Sequence, residues 1–588
     1  MDRLPSDIIA KIVEHLRPED HSGPWYLGAE YLPIFIRYMD LSLQWREAVE
    51  RRVFRRIDLD DLYLKQFAAI FAEAHRIPYL QELSMLVWLG AHSEEGPREH
   101  EENAVQFSNS VHWLFTTLAR HTGPPSGLRF ALLARPMIIG HCPANPVWRY
   151  ITMAPPHYSG TLPKVQCITE LDNIQVDGRV RIRPATVCQI LSALPNLRTL
   201  TLKLDQPSRR VRGLRRRHRL ALADGLRSLQ LPGLQTLRLS LGDSDPKNHS
   251  FISENFEDGD GVDPLSDALR VFTQSCPLLK EVALSDGQFS PALFRDPQQQ
   301  HLQHPNHLGT WPALESLVVN MRGNLVAPNG TWYFTGERQD VEEQQPREMT
   351  PEFREYKWLA WAMVNGITRY LGIPTPARLP RFLPAPLRYY QLPRWVPTGD
   401  PDDDGETNLG YGHGFDTVEE FDAFVGDFPR HAWRTRPDPS TFDPLVRSLA
   451  EAVSGWGSMP KLRSMRFVVA PADREPEPYD PERRSFPLGG IRIDFRDDPG
   501  VASGLDDGEV ADHPLPPVTK ERRQEADDDD GASVRRCDIW LDPGIEWDVP
   551  GYVANLFEKR VGDGGAMQVH RGSVQGETKE KVQERASI

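Results

Sequence analysis

The sequence predicts a mixed α/β protein: a small helical unit at the N-terminus, then an irregular solenoid of helix–break–strand units with a large insertion. Three observations predict it. An amphipathic helical pattern begins at Leu4. A short motif ending in alternating apolar residues recurs six times downstream. And 52 prolines among 588 residues divide the chain into short elements.

Composition sets the limits. A chain of 588 residues is too long for one ordinary domain. Hydrophobic residues make up 39% and charged residues 26%, enough apolar material for a sizeable core. A net charge of −15 argues against wrapping by nucleic acid or attraction to an anionic membrane. Cys142, Cys167, Cys188, Cys276 and Cys537 are too dispersed for a disulfide framework or a structural zinc site. The chain opens on Asp2 and Arg3 without an apolar leader, and no apolar run is long enough to span a bilayer. The expected compartment is a reducing one, cytoplasm or nucleus.

Residues 4–16 read LPSDIIAKIVEHL. Pro5 precedes the helix, Ser6 and Asp7 can accept its first free N–H groups, and Asp7 suits the helix dipole. Ile8, Ile9, Ile12, Val13 and Leu16 then form one broad apolar stripe. A second apolar segment, residues 41–46, continues through Val49, Val53 and Phe54. Periodicity alone is satisfied by a helical pair closing on itself. The order of residues says more: a Leu-Pro-x-acidic-Ile start, Ile four residues on, Leu four further, and a later apolar-Ser-x-x-Trp. In this the segment resembles the F-box, with Leu4, Pro5, Ile8, Ile12 and Trp45 at motif positions. Asp7 stands where that family more often has Glu, and residues 17–35 lengthen the path to Trp45. The resemblance implies docking on a Skp-type adaptor of a cullin–RING ubiquitin ligase. Its contact residues are expected among Leu4, Pro5, Ile8, Ile12, Leu16, Leu41 and Trp45.

The recurring motif is apolar-Pro-x-Leu-x-x-apolar-x-apolar-x-apolar. Its copies centre on Leu80, Leu197, Leu234, Leu279, Leu314 and Leu462. Val165 with Ile168 and Leu171 is a degenerate relative, and Leu128, Phe130 and Leu132 form another. Alternation after the central Leu has period two, hence a short strand with one buried face. The proline ends a segment of helical periodicity: Phe67, Ile70, Phe71 and Ala74 before Pro78, and Leu445, Leu449, Ala452 and Val453 before Pro460. Such a unit cannot bury its own apolar face, so units must stack. Leu200, Leu202, Leu237, Leu239, Leu317 and Val319 are therefore expected in the core, on adjacent parallel strands. The units resemble leucine-rich repeats. Their central leucines from 197 to 314 are 37, 45 and 35 residues apart, longer than the usual period of about 20–29. An F-box followed by such units resembles fungal F-box proteins with leucine-rich-repeat-like units.

The organisation that follows is an F-box at 1–58, a repeat-like array at 59–321, a Pro/Trp-rich insertion at 322–440 and a last unit at 441–470. A capping region with an acidic disordered linker follows at 471–563, then a disordered tail at 564–588. The insertion is expected to hold a helix at 352–370, and the capping region strands at 491–495 and 538–541. Trp332, Tyr333, Trp358, Trp361, Tyr389, Tyr390 and Trp395 are aromatics of the kind interfaces favour; the alternative is that they pack the insertion onto the array.

No P-loop, nucleophile elbow or local cysteine-protease signature is present, so neither an enzyme nor a cofactor is expected. His301, His304 and His307 are spaced like ligands, but Pro305 breaks any common helical face and no metal is expected. The arginines from Arg209 to Arg219 form the one dense basic run, without interleaved aromatics for base stacking. It reads as a solvated loop between units, partly neutralised by acids such as Glu254 to Asp263. The function implied is recruitment of a protein substrate to the ligase, with no membrane partner and no nucleic acid. Two alternatives stand beside it: an F-box scaffold acting outside a ligase, and a nucleic-acid-associated factor using the arginine run at 209–219.

Overall fold

The computed structural model describes residues 4–15, 38–73, 75–90, 97–121, 127–136, 149–153, 161–176, 180–207, 209, 212–242, 246, 248–297, 310–323, 325–336, 434, 436–454, 458–470, 490–497, 535–542, 545, 547–562 and 565–571. Most of the expected insertion, its helix at 352–370, the acidic linker and the histidines at 301–307 lie outside these residues. Two compact units divide the chain between Leu279 and Lys280, inside the expected 59–321 array. The first also takes in Pro328–Thr331.

The first unit runs α1 (Ser6–His15), α2 (Leu43–Val53), β1 (Arg56–Asp60), α3 (Leu64–Ile70), β2 (Glu82–Leu89), α4 (Pro97–Leu118) and β3 (Leu128–Pro136). It continues with β4 (Arg149–Ile151), β5 (Ile168–Val176), β6 (Val180–Ile182), α5 (Pro184–Ser192), β7 (Thr199–Lys203), α6 (Arg212–Ser228), β8 (Thr236–Ser240) and α7 (Pro264–Gln274). Its strands lie in the order β1-β2-β3-β5-β7-β8, each parallel to the next. The short β4 and β6 pair separately.

The second unit holds β9 (Glu281–Ser285), β10 (Ser316–Asn320), β11 (Phe334–Thr335), β12 (Arg436–Pro437), α8 (Phe442–Ser454), β13 (Ser464–Val469), β14 (Ile491–Arg496), β15 (Arg536–Leu541), α9 (Gly551–Val561) and β16 (Ala566–Arg571). Here β9, β10 and β13 are parallel, β14 runs against both β13 and β15, and β16 is parallel to β15. The fold is thus mixed α/β on a mostly parallel sheet. The expected solenoid is not shown: the units are unevenly spaced, and the antiparallel pairings of β14 break any uniform repeat.

Each copy of the proline motif makes the same bend. The N–H of the central Leu donates to the carbonyl of the residue before the proline: Leu80 to Ile77 (3.0 Å), Leu197 to Leu194 (3.3 Å), Leu234 to Leu231 (3.0 Å), Leu279 to Cys276 (3.1 Å), Leu314 to Trp311 (3.3 Å) and Leu462 to Met459 (3.2 Å). Proline suits the second position of such a turn, where its φ is pre-set and no N–H is needed. In three of the copies the carbonyl just after the central Leu then accepts two N–H groups from the next copy. Arg198 takes Gln235 (2.7 Å) and Thr236 (3.0 Å), Lys280 takes Glu315 (2.8 Å) and Ser316 (2.9 Å), and Glu315 takes Arg463 (2.9 Å) and Ser464 (3.1 Å).

These bonds hold equivalent apolar positions in register. Leu200 and Leu202 pair with Leu237 and Leu239 in the first unit. In the second, Leu317 and Val319 lie between Val282 and Leu284 on one side and Met465 and Phe467 on the other. All six residues expected in the core are at most 4% exposed. The helices before the bends bury Phe67 and Phe71, and Leu445, Leu449, Ala452 and Val453; Ala74 lies outside the described residues.

Both strands expected in the capping region are present, burying Ile491, Ile493 and Phe495 on β14 and Cys537, Ile539 and Leu541 on β15. Arg560 on α9 ties this region to the last bend, donating to the carbonyls of Met459 (3.3 Å) and Leu462 (3.0 Å). The tail is a correction. Ala566–Arg571 forms β16, where an uninterrupted disordered tail was expected from 564. It is an edge strand, mostly half-exposed or exposed, so its sequence carries little apolar alternation to betray it. Among the described residues no helix is long and apolar enough to cross a membrane.

Leu237→Asp places an unpaired charge in the middle of this register. It should destabilise the protein by at least ~4 kcal/mol, read by urea denaturation, whereas Leu237→Ala should cost about 2–5 kcal/mol.

Candidate docking surface

At the N-terminus of α1 the Pro5 carbonyl accepts from the N–H groups of Ile8 (3.0 Å) and Ile9 (3.1 Å). Ser42 caps α2, its hydroxyl accepting from the Trp45 N–H at 3.4 Å. Between the two helices Ile9, Val13, Trp45 and Val49 form a closed core, edged by Tyr38, Met39, Ala48 and Val53. The Tyr38 ring stacks on Trp45 at 5.9 Å.

This core divides the apolar stripe in two. Ile9 and Val13 face inward, while Leu4 (38%), Ile8 (37%), Ile12 (36%) and Leu41 (42%) remain exposed, with Pro5 beside them. Trp45, 4% exposed, is a core residue that holds the pair together and offers no surface to a partner. Leu16 lies outside the described residues. Leu43, 79% exposed, is an apolar side chain that the motif did not flag. Its signal was helical phase: two residues before Trp45 on the same helix, it points to the opposite side.

The helical pair is fastened to the first bend. Glu50, buried on α2, accepts from Arg76 at 2.8 and 3.2 Å and meets the His75 ring at 3.1 Å. Arg76 also donates to the Ile70 carbonyl and lies 5.5 Å over the Phe54 ring.

The arginine run is not a solvated loop. From Arg212 onward it is the first part of α6, and Arg215, His218 and Arg219 are buried with Leu214, Leu222 and Leu226. Arg219 grips Asp263 with two bonds of 2.9 and 2.7 Å, and Asp263, fully buried, caps α7. Arg215 and Arg219 lie 5.6 and 5.0 Å over the Phe256 ring. The acids expected to neutralise the run do so at Asp263, but in the interior. Burial pushes the neighbouring Glu254 up to about 7, against the pull of Arg215, Arg212, Arg216 and Arg219. Burial also pushes His218 down to about 3.

The four described cysteines, Cys167, Cys188, Cys276 and Cys537, are all free and buried. Burial raises the thiols of Cys167 and Cys276 to about 11 and those of Cys188 and Cys537 to about 12, far from nucleophilic. Among the described residues no group of three or more His, Cys, Asp or Glu is placed to hold a metal. A shallow cleft of about 770 Å³ is lined by Asp61, Glu101, Glu102, Val105, Gln106, Asn109 and Ser110, and in it the Ser110 hydroxyl and the Gln106 amide each donate to Asp61 at 3.3 Å. Of the insertion aromatics, Trp332 and Tyr333 are buried, the Tyr333 hydroxyl donating to the Phe289 carbonyl. They pack; the other five lie outside the described residues. No protein-family model matches the chain, and no curated protein matches it.

Asp263→Ala would strand Arg219 in the interior and should lower stability by about 3–5 kcal/mol, measured by chemical denaturation. Glu254 has a folded pKa above its ordinary 4.5, so its stabilisation is full below pH 4.5 and is lost as pH rises through about 7. The melting temperature should therefore fall over that window, and Glu254→Gln should flatten this part of the profile.

Proposed function

We propose that this chain is a non-catalytic substrate-recognition adaptor acting in the cytoplasm or nucleus. Its N-terminal helical pair, read as an F-box, docks on a Skp-type subunit of a cullin–RING ubiquitin ligase. Its strands and bends, read as irregular leucine-rich-repeat-like units, recruit a protein target. The observation that carries the reading is the apolar set Leu4, Ile8, Ile12 and Leu41, exposed on a helical pair whose own core is already filled by Ile9, Val13, Trp45 and Val49. Exposed apolar clusters of this kind mark interaction sites. The resemblance of these residues to the F-box gives the partner its identity.

The alternative of nucleic-acid binding through the arginine run has lost ground. Arg219, paired with Asp263, and Arg215, packed over Phe256, are buried and cannot track a phosphate backbone without unfolding α6.

Replacing Leu4, Ile8 and Ile12 together by Ala should weaken co-purification with a Skp-type adaptor by at least ~10-fold while leaving the circular dichroism spectrum intact. Val13→Ala should instead lower the stability of the helical pair. Wild-type adaptor binding by the triple variant would end the F-box reading.

A further inference from the structure

The second unit carries an unusual concentration of cations at one end of its sheet. Arg496 closes β14 and is the direct cross-strand partner of Arg536, which opens β15. On the other side of β14, Ser464 faces Arg496, and the Asp497 N–H donates to the Arg463 carbonyl at 2.8 Å. Lys461, Arg463, Arg496 and Arg536 are all exposed along this rim. Like charges directly opposite one another on neighbouring strands are destabilising, so this pair does not hold β14 to β15; Arg536 instead donates to Gln568 on β16 at 3.1 Å.

Two nearby carboxylates, Asp497 and Asp538, are already engaged. Asp497 bonds Arg535 at 2.6 Å, and Asp538 bonds Arg536 at 2.7 Å and His570 at 2.8 Å. Among the described residues, Lys461, Arg463 and Arg496 have no carboxylate partner. In a chain of net charge −15, this local excess of positive charge is the feature to explain.

We propose that this rim is a docking site for an acidic segment of a protein partner. Identifying that partner as the recruited target rests on the adaptor reading above. The site fits a short peptide better than a nucleic acid: three strands span only about 10 Å, and four cations are too few to track a phosphate backbone on an acidic protein. Arginines at the rim can hold carboxylates in paired bonds.

The test is fluorescence anisotropy on the full chain with a labelled decapeptide of alternating Glu and Ser, against its Lys/Ser counterpart and a U-only RNA oligonucleotide. Saturable binding of the acidic peptide alone is expected, weakened at least ~10-fold by Arg496→Glu with Arg536→Glu. The Arg496→Gln, Arg536→Gln pair serves should the reversal unfold the protein, and it should also weaken binding. Unchanged binding in a folded variant overturns the proposal, as does tighter binding of the RNA. Binding that emerges only when Asp527, Asp528, Asp529 and Asp530 are changed to Asn also overturns it, by assigning the rim to the chain's own acidic run. The Leu4, Ile8 and Ile12 triple variant should bind the peptide normally. Loss of adaptor binding and loss of peptide binding thus fail separately.

Discussion

The carbonyl that follows each central leucine is the constraint on which the sheet is built. After Leu197, Leu279 and Leu314 it accepts two N–H groups from the next copy, and so fixes where that copy's strand must begin. A register set in this way leaves no freedom to slip by one residue, which would turn Leu237 and Leu239 out of the core. The bend upstream supplies the geometry. Proline surrenders no needed donor there, and the leucine N–H closes the turn before the strand starts. Uneven connections between copies are tolerated because the two backbone contacts, rather than the loop lengths, align them.

A second constraint acts where the helical pair meets the first bend. Two helices contributing four core side chains would form a small unit of limited stability by themselves. Buried Glu50, taken up by Arg76 and His75, joins them to a larger body. The exposed residues Leu4, Ile8, Ile12 and Leu41 therefore belong to a surface held in place from behind. The outward side can stay apolar because it is not asked to stabilise the fold.

Much of this was legible in the residues, and the misses have physical causes. Alternation after each Leu-Pro-x-Leu located β7, β8, β10 and β13, because a buried strand face has a period that few other structures share. The same period found β14 and β15. It failed at β16, which lies at an edge and buries too little to alternate. In α1 the stripe was visible but its division was not, since Ile8 and Ile9 share one apolar face until a partner helix selects between them. Charge misled most at α6. Arginines are normally solvated, and only the spacing of Arg215, Arg219, Leu222 and Leu226 tells of a buried helical face.

That buried face changes what the arginine run means to other molecules. An extended stretch with so many arginines would be a preferred substrate for a trypsin-like protease and a handle for any receptor that grips basic side chains one by one. Folded into α6, with Arg219 locked to Asp263 and Arg215 packed on Phe256, those two side chains are hidden from both, while Arg212 and Arg216 stay exposed. Arg215 and Arg219 become readable only when the helix opens, so exposure of these two reports local unfolding rather than signalling in the native state.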